Sequence, residues 1–255
     1  MNDVSYGPDF YATHADGSLR SAQQVVPLLL SWFTPASVVE LGCGIGTWLS
    51  VFQRSGVEDI LGVDGPWVTP AQLRIPAERF RTADLTRPLD LDRGFDLALS
   101  CEVAEHLDAA HADQFVASLT RLAPIVAFSA AIPLQGGRNH INEQWPDYWY
   151  RKFDARGFAC FDVLRPRLWD NGDVGYHYAQ NLVVYVKRPV DPALVQAMLD
   201  PLLDRAYRGA PARLVHPSSW QAVSSYEVVS ARRMLAALPR LILKKARKRL
   251  RPRSR

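Results

Sequence analysis

The sequence predicts an α/β chain built on a doubly wound, mostly parallel sheet, and three observations carry that expectation. Val38 to Leu49, VVELGCGIGTWL, passes from a short apolar run through three glycines on alternate positions into a helix-compatible stretch, which reads as strand, tight turn, helix. Two further strand candidates, Asp59 to Val63 and Arg79 to Thr82, lead into acidic residues, Asp64 and Asp84. A fourth, Gly94 to Ser100, opens onto Cys101-Glu102-Val103-Ala104-Glu105-His106. Short apolar strands alternating with helical patterns are the mark of βαβ units.

The 255 residues, 48% hydrophobic, allow one α/β domain of ordinary size plus an appendage. The chain is expected to divide into an N-terminal arm and helix over 1–36, a domain over 37–189, and a helical extension over 190–255. In the first segment, Tyr6 to Arg20 is polar and aromatic, whereas Ser21 to Phe33 places Val25, Val26, Leu28, Leu29 and Trp32 at helical spacing. A helix laid against the first strand follows. Trp48 to Arg54 continues as a helix stopped by Gly56, and three prolines between Pro66 and Pro76 leave room for a short helix at most. Next come a helix from about Asp108 to Leu122, a strand from Pro124 to Ser129, and a short helix with Pro146 in its first turn and Gly157 ending it. The strand Phe158 to Val163, a loop from Arg165 to Tyr178 and the strand Leu182 to Val186 complete the domain. Asp191 to Tyr207 then reads as a helix, Gly209 to Ser219 as a turn-rich linker and Val223 to Leu238 as a last helix.

Charge is divided unevenly along the chain. Arg232 to Arg255 holds 11 of the 30 Lys and Arg and no acid, leaving 19 basic residues against 26 acidic in the rest. An acidic body argues against extended nucleic-acid contact through the domain. In LILKKARKRL, Leu241 to Leu250, aliphatic residues alternate with basic clusters, a pattern that suits a helix lying on an anionic membrane surface. A solvated tail or a nucleic-acid contact are the alternatives. Cys43, Cys101 and Cys160 form no CxxC pair, which suits a reducing compartment without a disulfide or zinc site. The N-terminus lacks signal-peptide blocks and no apolar run approaches ~20 residues. The expected location is cytoplasmic, with peripheral contact at the inner membrane face through the tail.

The glycine turn lets a ligand lie against the backbone at the strand's carboxyl end, where open α/β sheets bind nucleotides. Asp64 can accept both hydroxyls of a ribose, Asp84 can accept an exocyclic adenine amine, and Leu85 offers an apolar face to the ring. Together the three turns describe an adenosine site. E-LGCGIG-T, then GVD, AD-L and FDLALSCEVAEHL resemble the class I methyltransferases that use S-adenosylmethionine, over Val38 to Lys187. The resemblance implies seven strands with the last antiparallel. It places Glu40 and Gly42, Gly44 and Gly46 near the aminoacid part of the cofactor, Asp64 at its ribose and Asp84 at its adenine. It also makes Tyr11 and His14 candidates for a lid, against surface residues of an arm. The dinucleotide pattern G-x-G-x-x-G fits less well, because Thr47 stands where it has glycine.

Glu102, Glu105 and His106 in E-x-x-E-H spacing put two carboxylates and an imidazole on adjoining parts of one turn, and His140 in GGRNHINEQW faces the same crevice. Such a set suits Mg2+ or Mn2+. It resembles the metal site of the small-RNA 3′-end ribose methyltransferases, and E-x-x-E-H also occurs in ubiquinone-pathway O-methyltransferases. The alternative is metal-free, with Glu105 a helix cap, His106 or His140 a general base, and Glu102 facing the methionine end of the cofactor. Trp145, Trp149, Trp169, Asn171 and His177 fall in two aromatic-rich segments expected to wall one pocket, for a saccharide or for an aromatic metabolite. The expected function is methylation of a hydroxyl on a saccharide or related small molecule, free or lipid-linked. An RNA terminal ribose 2′-O-methyltransferase and a non-catalytic cofactor-binding scaffold are the alternatives.

Overall fold

Seven strands, β1 (Ser37–Leu41), β2 (Asp59–Asp64), β3 (Phe80–Thr82), β4 (Leu97–Cys101), β5 (Ile125–Ser129), β6 (Phe158–Phe161) and β7 (Val183–Lys187), form one sheet in the order 3-2-1-4-5-7-6. All pairs are parallel except those of β7, which runs antiparallel to β5 and β6. This computed structural model describes residues 8–199 and 209–224, with the backbone alone for 8–15. The helices are α1 (Pro8–Phe33), α2 (Thr47–Arg54), α3 (Ala112–Leu122), α4 (Pro146–Asp154), α5 (Arg165–Leu168), α6 (Tyr176–Asn181), α7 (Pro192–Met198) and α8 (Pro217–Ser224). None of the described helices is long and apolar enough to cross a membrane.

Alternation along each strand sends successive side chains to opposite faces. Val38, Leu97, Leu99, Ala127, Val184 and Val186 enter one core with α1 and α2, and Val39, Leu41, Ala98, Val126, Phe128 and Tyr185 enter another with α3 and α4. Burial on both faces explains why these strands read as near-continuous apolar runs. On α1, Ala22, Val25, Val26 and Leu29 are fully buried, the spacing of one helix face.

Several expected bounds move. The polar arm is not separate, since helix begins at Pro8 and Tyr11 and His14 lie on its backbone; their side chains are outside the described residues. The helix expected from Asp108 starts as a 3-10 turn, with the Asp108 carboxylate accepting from Ala110 N, and becomes α-helical at Ala112. The loop expected over Arg165 to Tyr178 contains α5 and the start of α6. Of the two helices expected in the extension, only α7 and the two residues of the second that fall at the end of α8 are described, and the basic tail lies outside the described residues.

The expected boundary at 189 is also corrected, because the first compact unit ends at His216 and the second begins at Pro217. Arg165, 1% exposed, is the physical reason. Its guanidinium donates twice to the Asp162 carboxylate, from Nε at 2.7 Å and from Nη2, and from Nη1 to the carbonyls of Gln180 at 3.3 Å and Ala212 at 2.9 Å. His216 N donates to Gln180 Oε1 at 2.8 Å, and Arg213 grips Asp147 with two bonds of 2.8 and 2.9 Å. Residues 209–216 are thereby strapped to the domain. Removing one partner of a buried pair strands the other charge, so Arg165→Ala should lower unfolding stability by about 3–5 kcal/mol in a denaturant titration. Arg213→Ala, at an exposed pair, should leave the midpoint nearly unchanged; equal effects of the two would contradict this account.

Candidate active site

Strand order reverses between β1 and β4, which opens a crevice beyond their carboxyl ends. The glycine turn sits there. Gly42, Gly44 and Gly46 all have positive φ, at 79°, 52° and 79°. A Cβ on Gly42 would lie 2.4 Å from the Val103 side chain, so glycine is required for the turn to pack against the β4 loop. Glu40, 2% exposed, stands one residue before the end of β1; its carboxylate takes the Leu49 N–H of the first turn of α2, and Oε2 has no partner. Burial, and then the nearby Asp64, push its carboxyl well above the usual range.

Asp64 accepts from Gly44 N at 2.6 Å and Gly65 N at 2.7 Å, and the Trp67 indole also donates to it. Burial raises its pKa while these three bonds oppose the rise. Trp67, 43% exposed, lies across Gly65, where a Cβ would come within 2.2 Å of the ring. Asp84 is half-exposed and accepts from Thr86 N at 3.0 Å and Thr86 Oγ1 at 2.6 Å, bonds that hold its carboxyl below the usual range. Leu85 packs against the core beside it.

Beyond β4 the expected metal set divides. Ligand atoms of Glu105, His106 and His140 lie within 4.8 Å of one another, and Glu102 is not part of that group. This corrects the placement of Glu102 as a metal ligand. Its backbone adopts φ 55°, turning the side chain toward Gln135 Nε2 at 2.7 Å and Asn181 Nδ2 at 3.1 Å, both donating to its carboxylate. Gln180 Nε2 extends this amide network through Gln135 Oε1 and Asn181 Oδ1. Burial raises the Glu102 pKa and the two amides counter it.

Glu105 is wholly buried and neither carboxylate oxygen has a hydrogen-bond partner. Burial first, then the charge of Glu102, drive its pKa well above the usual range, against a smaller lowering by the Glu105 and Ala131 backbone N–H groups that approach it. His140 Nε2 is 4.0 Å from Glu105 Oε1, and the His106 and His140 rings meet edge to face with centroids 4.8 Å apart. Burial and the neighbouring His140 push His106 down to about 4, while its ring donates to the Asn139 carbonyl. One imidazole held neutral, that of His106, thus stands with the His140 imidazole and one unsatisfied carboxyl, a donor set able to hold a divalent cation or to take a proton.

The expected substrate residues are not equally placed. Trp149 is corrected: it is 2% exposed and packs against Phe128 and Tyr148 in the α3–α4 core, because α4 turns Trp149 and Phe153 inward. Asn171 ties elements together, donating to Gln24 on α1 at 3.2 Å and accepting from Asp173 N at 3.0 Å. Trp145 is half-buried under the Arg213 guanidinium, Trp169 packs against His216, and His177 stands between Tyr176 and Tyr178. Tyr176, whose pKa is raised by burial and by the charge of Glu102, was not singled out from sequence. Gln135, Asn181, Trp67 and Glu143 were missed likewise. For Glu143 a signal existed, three residues after His140; the others meet the site through contacts distant in sequence.

Against known proteins, residues 11–169 match the model of a family described as a methyltransferase domain. A search of curated proteins found no match. Among solved structures, the chain resembles the sugar N-methyltransferase KedS8 from Streptoalloteichus sp ATCC 53650 with a TM-score of 0.56 at 15% identity, over 74% of this chain and 95% of that one. It resembles SAM-bound CalS10, an amino pentose methyltransferase from Micromonospora echinaspora, with a TM-score of 0.52 at 16% identity, over 73% and 99%. The methyltransferase domain of bacterial CtHen1-C gives 0.51 at 19% identity, over 66% and 97%. At these identities the likeness is one of fold. The family match spans more than half of the chain and rests on a sheet of the expected order, so the chain belongs to the methyltransferase-domain family, as a class I enzyme dependent on S-adenosylmethionine.

Proposed function

We propose that the protein methylates a hydroxyl of a saccharide or related small molecule held at the Glu105–His106–His140 end of the crevice. The carrying observation is the fully buried Glu105 carboxyl, without a partner and facing two imidazoles. A buried polar group left unpaired costs free energy, and one beside two imidazoles marks where a cation or a ligand group would complete the set. The half-buried Trp145, Trp169 and His177 suit a sugar, with apolar ring faces for stacking. The sugar N-methyltransferase and amino pentose methyltransferase of similar fold support a saccharide as acceptor, though not the choice of hydroxyl over amine.

Residues on the glycine side fit the cofactor. The free oxygen of Glu40 is an acceptor for the ammonium of its aminoacid part, Asp64 retains lone pairs for ribose hydroxyls, and Asp84 with Leu85 flanks the adenine. The cofactor supplies the electrophilic methyl. Without a metal, His106, neutral above a pKa of about 4, accepts the acceptor hydroxyl's proton through its one lone-pair nitrogen as the oxygen takes the methyl carbon and the carbon–sulfur bond breaks. Glu105, His106 and His140 would hold Mg2+ or Mn2+, whose charge lowers a nearby hydroxyl's pKa.

The reading is tested by a methyl-transfer screen of sugars, amino sugars, lipid-linked glycans and short RNAs, with chelator and with Mn2+. Turnover on RNA alone, or on amines but not hydroxyls, would replace the acceptor class, and chelator-insensitive turnover would remove the metal. Asp64→Ala should weaken S-adenosylhomocysteine binding by about 1–3 kcal/mol in calorimetry, and NADH should not bind. For Glu105 the raised pKa sets the sign. Stability from its neutral form is full below about 4.3, the unfolded value, and is lost as pH rises through the folded pKa. Metal-free Glu105→Gln should therefore be more stable than wild type at pH 8, by on the order of 1 kcal/mol. The gap should close toward pH 4, and the variant should show no Mn2+ binding by electron paramagnetic resonance.

A further inference from the structure

We propose that Glu143 is a positioning residue that presets His140, with the ring proton on Nδ1 and Nε2 free toward Glu105. Glu143 closes the loop between β5 and α4. Its Oε2 accepts from Leu134 N at 2.7 Å, and its Oε1 from Gly136 N at 2.7 Å and from His140 Nδ1 at 3.1 Å. Both oxygens already take backbone N–H groups, so the carboxylate serves as an acceptor throughout and the proton of the third contact sits on the imidazole. That leaves Nε2 as the lone-pair nitrogen, and it is the one 4.0 Å from Glu105 Oε1. A hydrogen bond to one ring nitrogen decides what the other can do.

The same loop is built around this orientation. A Cβ on Gly137, at φ 153°, would stand 2.2 Å from His140 Nε2, so the ring occupies the space that glycine leaves. Ile141 N and Asn142 N donate to the Glu105 carbonyl at 2.9 and 3.0 Å, tying the far end of the loop to the turn that carries Glu105 and His106. Asn139, at φ 60°, supplies the carbonyl that takes the His106 ring proton. Both imidazoles are thus oriented by one ten-residue loop whose ends Glu143 and Glu105 hold. What Nε2 then engages rests on the reading above; the orientation itself does not.

Nitrogen-15 NMR of histidine-labelled protein at pH 8, with His140 assigned by its loss in His140→Gln, reads the tautomer directly. Wild type should show His140 protonated on Nδ1. Glu143→Ala should move the population toward the Nε2-protonated form common in water. Mn2+ affinity should fall 10–100-fold in Glu143→Ala. Gly137→Ala should displace the ring with Glu143 intact, which keeps the test open if Glu143→Ala does not fold. His140 protonated on Nε2 in wild type, or an unchanged tautomer in Glu143→Ala, would overturn the proposal. Wild type with Nδ1-protonated His140 and no Mn2+ binding would support it while removing the metal from the function proposed above.

Discussion

Parallel pairing of β4 with β5 is what the candidate site depends on. The register Leu97 to Ile125 through Cys101 to Ser129 brings both strands to the same edge of the sheet, and Glu102 N prolongs it by donating to the Ser129 carbonyl and hydroxyl, each at 3.1 Å. Everything downstream inherits this alignment. The E-x-x-E-H turn leaves β4 beside the loop that leaves β5, so Glu105 and His140 meet although 35 positions separate them. Antiparallel β7 then returns from α6 and brings Asn181 to Glu102 from the other side.

Four acids, Glu40, Asp64, Glu102 and Glu105, crowd the crevice, and burial raises the pKa of each. They differ in how the fold compensates. Asp64 has two backbone N–H groups and an indole, Glu102 has two side-chain amides, Glu40 has one backbone group and a free oxygen, and Glu105 is approached by its own and the Ala131 backbone N–H groups without a hydrogen bond that satisfies either oxygen. Asp64 and Glu102 support the turn and the amide network, whereas Glu40 and Glu105 keep unsatisfied oxygens at the two ends of the crevice.

The strap over residues 209–216 links this site to the rest of the first unit. Arg165 holds its backbone, Arg213 reaches Asp147 at the start of α4, and His216 N donates to Gln180, whose amide belongs to the network around Glu102. His216 also packs against Trp169 and stacks near Tyr176. Two of the expected substrate residues, Trp145 and Trp169, therefore pack against Arg213 and His216 of the strap, a segment that composition alone marks as linker.

Sequence by itself determined the sheet, the turn and which acids stand at the strand ends. Strands buried on both faces must be apolar runs, glycine takes the three alternate positive φ values of the turn at little cost, and an acid at the end of a parallel strand points into the crevice. Glu40, Asp64, Glu105 and His106 are legible for that reason, being local to a strand end. Tertiary structure decided the rest, where a side chain's partner lies far along the chain. Glu102 left the metal group because its left-handed backbone and the amides of Gln135 and Asn181 turn it away. Trp149 became core because helical periodicity, blind to which face meets the sheet, turned it onto Phe128. Asn171 was claimed by Gln24, 147 positions earlier. The domain end moved to 216 because a buried guanidinium needs acceptors, and Arg165 finds one of them at Ala212.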